Sequence, residues 1–367
     1  MVFAGLAVIG LAYQAFAWIM LGRFFAPHAS AASSQSVTIL KPLHGDEPRL
    51  KENLATFLAQ DHAGQIQLLC GIGRADDPAR LAVEALRREY PGADIGLVID
   101  PTRHGSNGKV GNLINLMPAA KHGVLVLSDS DMAVGRDYLP TLLATLGLPG
   151  VGVATCFYRG RADGGFWSQV SAGIIGDVAL PDMVVGYTTG LARPCMGSTI
   201  ALTRATLDRI GGFAPYADML ADDHAIGMAV TRLGLRVEIP PLTLVHACAE
   251  TSFGAVWRQK LRWGATIRTL QPWGYAGSLI TRPLPLALLA VPFIPATGLV
   301  LSVAALAVRL AVARRVDRRA GARSVALWLL PLIDLVEFLV FAASFTVRKV
   351  NWRGNALTLT ADGHISA

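Results

Sequence analysis

Gly123-Val124-Leu125-Val126-Leu127-Ser128-Asp129-Ser130-Asp131 is an uncharged, β-favouring run that stops at two carboxylates. A run this apolar has no face to offer water, so it reads as a strand covered on both sides. Its neighbours follow the same logic. Ser36–Leu40 is a second β-rich run, ending in Lys41-Pro42-Leu43-His44-Gly45. Residues 48–60 then carry Leu50, Leu54, Phe57 and Leu58 at helical spacing. Residues 65–72 read as another strand, leading into Asp76-Asp77-Pro78. A helix over 78–89 and a short strand over 95–99 follow. Strands alternating with helices predict an α/β fold with a mostly parallel sheet. Ligands of such sheets collect at the carboxyl ends of strands, and Lys41, Asp77 and Asp129 all fall just after one.

The rest of the composition points to a bilayer. Mean hydropathy is +0.44, and only 16% of the 367 residues are charged, too few for a plain soluble enzyme. Residues 2–22 lack charge and as a helix would span about 30 Å, one hydrocarbon core. Residues 283–308 are likewise uncharged, and 324–347 are interrupted only by Asp334 and Glu337. The chain therefore divides into an N-terminal transmembrane anchor (1–25), a cytoplasmic domain (36–270), a C-terminal transmembrane or re-entrant region (280–347) and a tail (348–367). Ala29-Ser30-Ala31-Ala32 resembles a signal-cleavage site, but the apolar run is long, no basic region precedes it, and Arg23 follows it. Arg23 favours a cytoplasmic domain. The basic loop Arg314–Arg319 should also be cytoplasmic, which requires 283–313 to enter and return, whereas a single crossing would place those arginines outside. Pro283, Pro285, Pro292 and Pro295 suit a broken hairpin. Residues 166–193 suit an element at the membrane interface, and Asp334 and Glu337 should face protein or a wet cleft, or pair with arginine. A net charge of +7 fits anionic headgroups better than nucleic acid, since the arginines flank apolar segments. The four cysteines have no C-x-x-C spacing and read as core residues.

Five clusters can carry chemistry. Asp129 and Asp131, two residues apart at a strand end, can hold a hard cation such as Mg2+ or Mn2+ beside phosphate oxygens. Asp77 can bind the base or ribose of a nucleotide, or cap the helix that starts at Pro78. Lys109 and Asn112 sit in a Gly-rich loop entering a helix, a setting that suits an anion, though no Walker motif is present. Asp222 and Asp223 are adjacent at a helix start. One should hold its proton more tightly, and Asp223 can then act as general base toward a hydroxyl. Gln259, Arg262 and Trp263 share a helical face that can grip a diphosphate and a ring; Arg262 and Trp263 also fit an interfacial Trp/Arg belt. The eight histidines show no ligand spacing, and no G-x-S-x-G is present.

The order of these pieces resembles the family 21 glycosyltransferases. Val37 to Gly45, Asp76-Asp77-Pro78, Asn115 to Pro118, Asp129-Ser130, Cys195-Met196-Gly197-Ser198, Gly211-Gly212-Phe213, Ala221-Asp222-Asp223, Gln259 to Trp263 and Trp352-Arg353-Gly354 carry the resemblance along the whole chain. It implies a GT-A type, Rossmann-like nucleotide-sugar domain and an inverting transfer from a UDP-sugar to a lipid hydroxyl at a bacterial inner membrane. The alternatives are a processive polysaccharide synthase, for which three apolar runs are few, and a non-catalytic nucleotide-sugar sensor, against which Asp223 and Arg262 stand. By the same resemblance Lys41, Asp77, Lys109, Asn112 and Asp129 contact the donor and Asp129 and Asp131 its metal. Asp223 is the base, and Gln259, Arg262 and Trp263 support the diphosphate. The chain lacks the histidine-proline pair of the animal ceramide enzymes around Val178–Pro181 and adds Asp131 to form a full D-x-D. Both differences favour a hopanoid polyol over ceramide as acceptor.

Overall fold

A computed structural model of the chain describes residues 1–26, 33–321 and 325–347 in full, and the backbone alone of 349–352, 355–359 and 365–366. Ala29–Ala32, and Arg353 and Gly354 of the tail match, lie outside the described residues. Packing divides the chain into two compact units. One comprises Met1–Ala26, Arg159–Ala192 and Cys248–Ala367; the other, Pro27–Tyr158 and Arg193–Ala247. The stretch expected as one domain over 36–270 is thus shared between them. Residues 159–192 and the helix bearing Gln259 pack with the apolar helices.

The strands are β1 (Val37–Pro42), β2 (Ile66–Ile72), β3 (Asp94–Ile99), β4 (Val124–Ser128), β5 (Met132–Ala133), β6 (Val151–Thr155), β7 (Phe157–Ala162), β8 (Thr199–Thr203), β9 (Arg236–Glu238) and β10 (Thr243–Cys248). The main sheet runs β3-β2-β1-β4-β8-β6-β9. β1 to β4 are parallel neighbours as expected, whereas β8 enters antiparallel to both β4 and β6. Alternation in β4 sorts its side chains onto two cores. Val124 and Val126 join a cluster with Leu54, Phe57, Val83 and Leu142. Leu125 and Leu127 join Val110, Leu113, Ile226 and Val230 on the other face. Burying each such side chain stabilises the sheet by about 1.5–3 kcal/mol.

Antiparallel entry of β8 has a consequence for the site. It pairs Ser128 with Thr199, so the Cys195–Ser198 segment meets the C-terminal end of β4. β10 runs antiparallel to β5 with His246 opposite Met132, and the Ala247 amide donates to the Asp131 carbonyl at 2.8 Å.

In the other unit, helices Val2–Phe24, Phe166–Thr188, Pro295–Ala320 and Leu327–Ser344 are long and apolar enough to cross a membrane. The apolar run from 283 breaks as its prolines foreshadow. Helix Pro283–Ala290 ends, and Pro295 starts the next. Gln14 donates to the Thr281 carbonyl at 2.8 Å, while the rings of Phe3 and Phe293 lie 6.4 Å apart. The 281–293 arm therefore runs antiparallel to the first helix, and Pro295–Ala320 returns parallel to it. Residues 166–188, expected at the interface, form one helix interrupted by a π-helical turn at Ile174–Ala179. Several charged groups inside are paired, while both Asp177 carboxylate oxygens lack a hydrogen-bond partner among the described residues. Arg309 makes a bidentate bond to Asp334 and donates to the Asp177 carbonyl at 2.7 Å. Arg282 holds Glu337, and Tyr13 donates to Asp182 at 2.8 Å.

Candidate active site

The site is built at the C-terminal end of β4. Parallel pairing puts Leu40 beside Leu127, so Lys41 reaches the next position along. Its ammonium donates to Ser128 Oγ at 3.1 Å and the Asp129 carbonyl at 2.7 Å, and lies 3.6 Å from the Phe57 ring centroid. Lys41 is fully buried. Burial pushes its pKa down to about 7 despite nearby Asp129 and Asp131. Expected as a donor contact, it sits under the D-S-D turn with its side chain enclosed.

Lys109 joins the clusters. Asn107 Oδ1 accepts from the Lys109 and Val110 amides and so caps helix Gly108–Leu116. The Lys109 ammonium then lies 2.8 Å from Asp129 Oδ1 and 3.5 Å from Asp222 Oδ2, and donates to the Gly197 carbonyl at 3.3 Å. Burial works against its charge, but Asp129 and Asp222 outweigh that and hold its pKa above the usual lysine range. Lys109 bridges acids far apart in sequence.

Asp223, at the start of helix Asp222–Arg232, accepts from the Gly197 amide at 2.8 Å through Oδ2 and from the His224 amide at 2.7 Å through Oδ1. Each oxygen keeps a further lone pair for a substrate proton. Burial, then adjacent Asp222, raises its pKa to about 6. A Cβ at Gly197 would stand 2.9 Å from Asp223 Oδ2, so only glycine lets the backbone approach.

Asp131 is pushed up to about 7 by burial and by Asp129, and its Oδ1 has no hydrogen-bond partner among the described residues. His246 Nδ1 lies 3.6 Å from its other oxygen. Two carboxylates, one with an unmet oxygen, offer the oxygen donors that a hard divalent cation such as Mg2+ or Mn2+ takes, but among the described residues no group of three or more His, Cys, Asp or Glu side chains is arranged to hold a metal ion. Glu47 accepts from Ser130 Oγ at 2.7 Å, and burial and Asp131 raise it to about 7. Sequence reading missed Glu47 and His246 here. The signal for His246 is the pairing of β10 with β5, and β5 is only two residues long.

Two expected residues bond to the backbone. Asp77 Oδ1 accepts from the Gly45 amide at 2.9 Å and the Ala79 amide at 3.0 Å, while Oδ2 lies 3.4 Å from His44 Nδ1. Asn112 donates to the Gly71 carbonyl at 2.8 Å, holding the end of β2. Gln259, Arg262 and Trp263 belong to the apolar unit, on helix Phe253–Leu270, which Ser252 caps. There Ser171 Oγ meets Gln259 at 3.4 Å, and the Lys260 ammonium lies 4.3 Å from the Trp263 ring centroid.

A mostly parallel sheet with D-x-D at a central strand end and a second acidic pair beside it is a GT-A type fold. Over 94% of this chain and 99% of the other, the fold matches the mannosyltransferase PcManGT from Pyrobaculum calidifontis, solved with GDP-Man and Mn2+, at a TM-score of 0.55 and 18% identity. The chain belongs to glycosyl transferase family 21, whose family model matches residues 2–365. It is similar to ceramide glucosyltransferase 3 of Caenorhabditis elegans, 24% identical over 63% of this chain and 50% of that protein. It is also 30% identical to the ceramide glucosyltransferase of Komagataella phaffii, over 27% of this chain and 20% of that one. The chain spans about half the length of the Caenorhabditis elegans relative.

Proposed function

We propose that the protein transfers a sugar from UDP-glucose or UDP-N-acetylglucosamine to a hydroxyl of a membrane lipid, a hopanoid polyol, with inversion at the sugar carbon. It works at a bacterial inner membrane with its nucleotide-sugar unit in the cytoplasm. The observation that carries this reading is the Lys109 bridge, which gathers Asp129 and Asp222 at one strand end and brings Asp223 beside them.

Asp223 takes the acceptor proton as the hydroxyl oxygen attacks the anomeric carbon and UDP departs from the opposite face. Its two backbone donors fix the carboxylate so that a free lone pair faces the acceptor. A divalent cation, Mg2+ or Mn2+, on Asp129 and Asp131 with His246 alongside would supply Lewis acidity to the departing diphosphate. Lys41 and Glu47 hold the D-S-D turn in place. Asp77 and Asn112 shape the nucleotide end through the Gly45 and Gly71 backbone. Gln259, Arg262 and Trp263 support the diphosphate, with Arg262 countering its growing charge.

Ceramide is the second reading, supported by the ceramide glucosyltransferases among the relatives. Asp223→Asn separates chemistry from binding. Transfer should fall by at least about a hundredfold while UDP affinity stays nearly unchanged. A parallel loss of UDP affinity would make Asp223 structural.

A further inference from the structure

The chain's excess of positive charge lies in the apolar unit rather than around the sheet, and much of it gathers at one end of two parallel helices. Arg23 ends helix Val2–Phe24, and Arg314, Arg315, Arg318 and Arg319 end helix Pro295–Ala320. The Arg315 guanidinium lies 4.0 Å from the ring centroid of half-exposed Trp18. It also rests on Gly22, where any Cβ would collide with it. Yet Arg315 Nε is enclosed without a hydrogen-bond partner among the described residues. Arg23, Arg314, Arg318 and Arg319 are exposed.

Capping of helix ends explains only part of this. Arg319 donates to the Phe25 carbonyl at 3.2 Å, which satisfies one orphan acceptor. The acid within the cluster, Asp317, interacts with a further arginine, Arg159. A fixed guanidinium with a donor to spare, ringed by like charges and flanked by a tryptophan, calls for an anion at membrane depth.

We propose that this end of the two helices binds the phosphate of an anionic phospholipid headgroup, with Arg315 at its centre and Arg23, Arg314, Arg318 and Arg319 around it. The headgroup supplies the negative charge that the cluster lacks, and its acyl chains continue along the apolar helices below Trp18. Each surface arginine near an anionic leaflet strengthens binding roughly fivefold. This site stands apart from sugar transfer and does not depend on it.

The test uses the full chain purified in neutral detergent and titrated with phosphatidylglycerol, phosphatidylcholine or inorganic phosphate. Retained lipid is read by native mass spectrometry and the thermal midpoint is followed in parallel. Phosphatidylglycerol should be retained and raise the midpoint, with the other two ineffective. Arg315→Gln and Gly22→Ala, which expels the guanidinium, should each weaken retention roughly fivefold or more. Arg318→Gln, at an exposed position, gives a variant certain to keep the packing and should show a similar loss, while Arg88→Gln on the other unit should not. Equal retention of both lipids, protection by phosphate alone, displacement by an oligonucleotide, or full retention in the arginine variants would overturn the proposal.

Discussion

Lys109→Met removes the charge that ties the acidic clusters together. In the intact site its ammonium is 2.8 Å from Asp129 and 3.5 Å from Asp222. At an effective dielectric of about 20, each contact is worth roughly 5–6 kcal/mol before desolvation. Asp129 is one-third open to water, with 33% of its side chain exposed, so solvent screens its share. The lysine's own desolvation offsets more. A net loss of about 2–3 kcal/mol remains, at the low end for breaking a buried pair. For a unit of this size the thermal midpoint should fall by roughly 4–12 °C in chelator. Mn2+ can replace part of the missing positive charge, so adding it should raise the variant's midpoint more than the wild type's. The assay is thermal unfolding of the detergent-solubilised chain, with and without Mn2+. A variant as stable as wild type in chelator, or equal Mn2+ shifts in both, would refute the bridge.

Stability without metal should depend on pH with a definite sign. Asp223, Asp131 and Glu47 keep their protons to about 6, 7 and 7 in the fold, but lose them near pH 4 when unfolded. Their contribution is full below about pH 4 and is lost as pH rises toward 7. Lys41, held down to about 7, adds the opposite slope above that, so denaturation midpoints in chelator should pass through a minimum near pH 7. A flat profile from pH 5 to 8 would count against these environments. Asp131→Asn should weaken Mn2+ binding at least tenfold by calorimetry, and unchanged affinity would remove Asp131 from the ligand set. Arg262→Ala should lower turnover by about a hundredfold or more, whereas altered membrane extraction with normal turnover would favour the interfacial-belt role.

The sheet was legible because burial on two faces leaves a plain mark: Val124 to Leu127 are apolar without a break, and the structure sends alternate residues to two cores. The placement of Asp129 and Asp131 after a strand and of Asp223 at a helix start was legible, because strand ends and helix starts are marked by the apolar pattern. The direction in which a side chain turns was not. Lys41 reads in sequence as the residue just after a strand, yet it lies within β1 and packs onto Phe57 and the Asp129 carbonyl. Asp77 takes the Gly45 and Ala79 amides, and Asn112, within helix Gly108–Leu116, donates to the Gly71 carbonyl of β2. Such partners are set by tertiary register, which a single chain's spacing does not encode. His246 shows the same limit, since it reaches Asp131 only through a two-residue strand. In the apolar unit, Asp334 and Glu337 were recognised as costly in lipid, and arginines from separate segments pair with them.

The most direct measurement is a donor-by-acceptor turnover screen. Purified full-length protein with Mg2+ or Mn2+ would be offered UDP-glucose or UDP-N-acetylglucosamine against a hopanoid polyol or ceramide, and glycolipid read by mass spectrometry. Inverted glycoside formed on the hopanoid, absent in excess chelator and in Asp223→Asn, is the result predicted. No glycolipid from any pair, despite measurable UDP binding, or product formed equally well by Asp223→Asn, would contradict it.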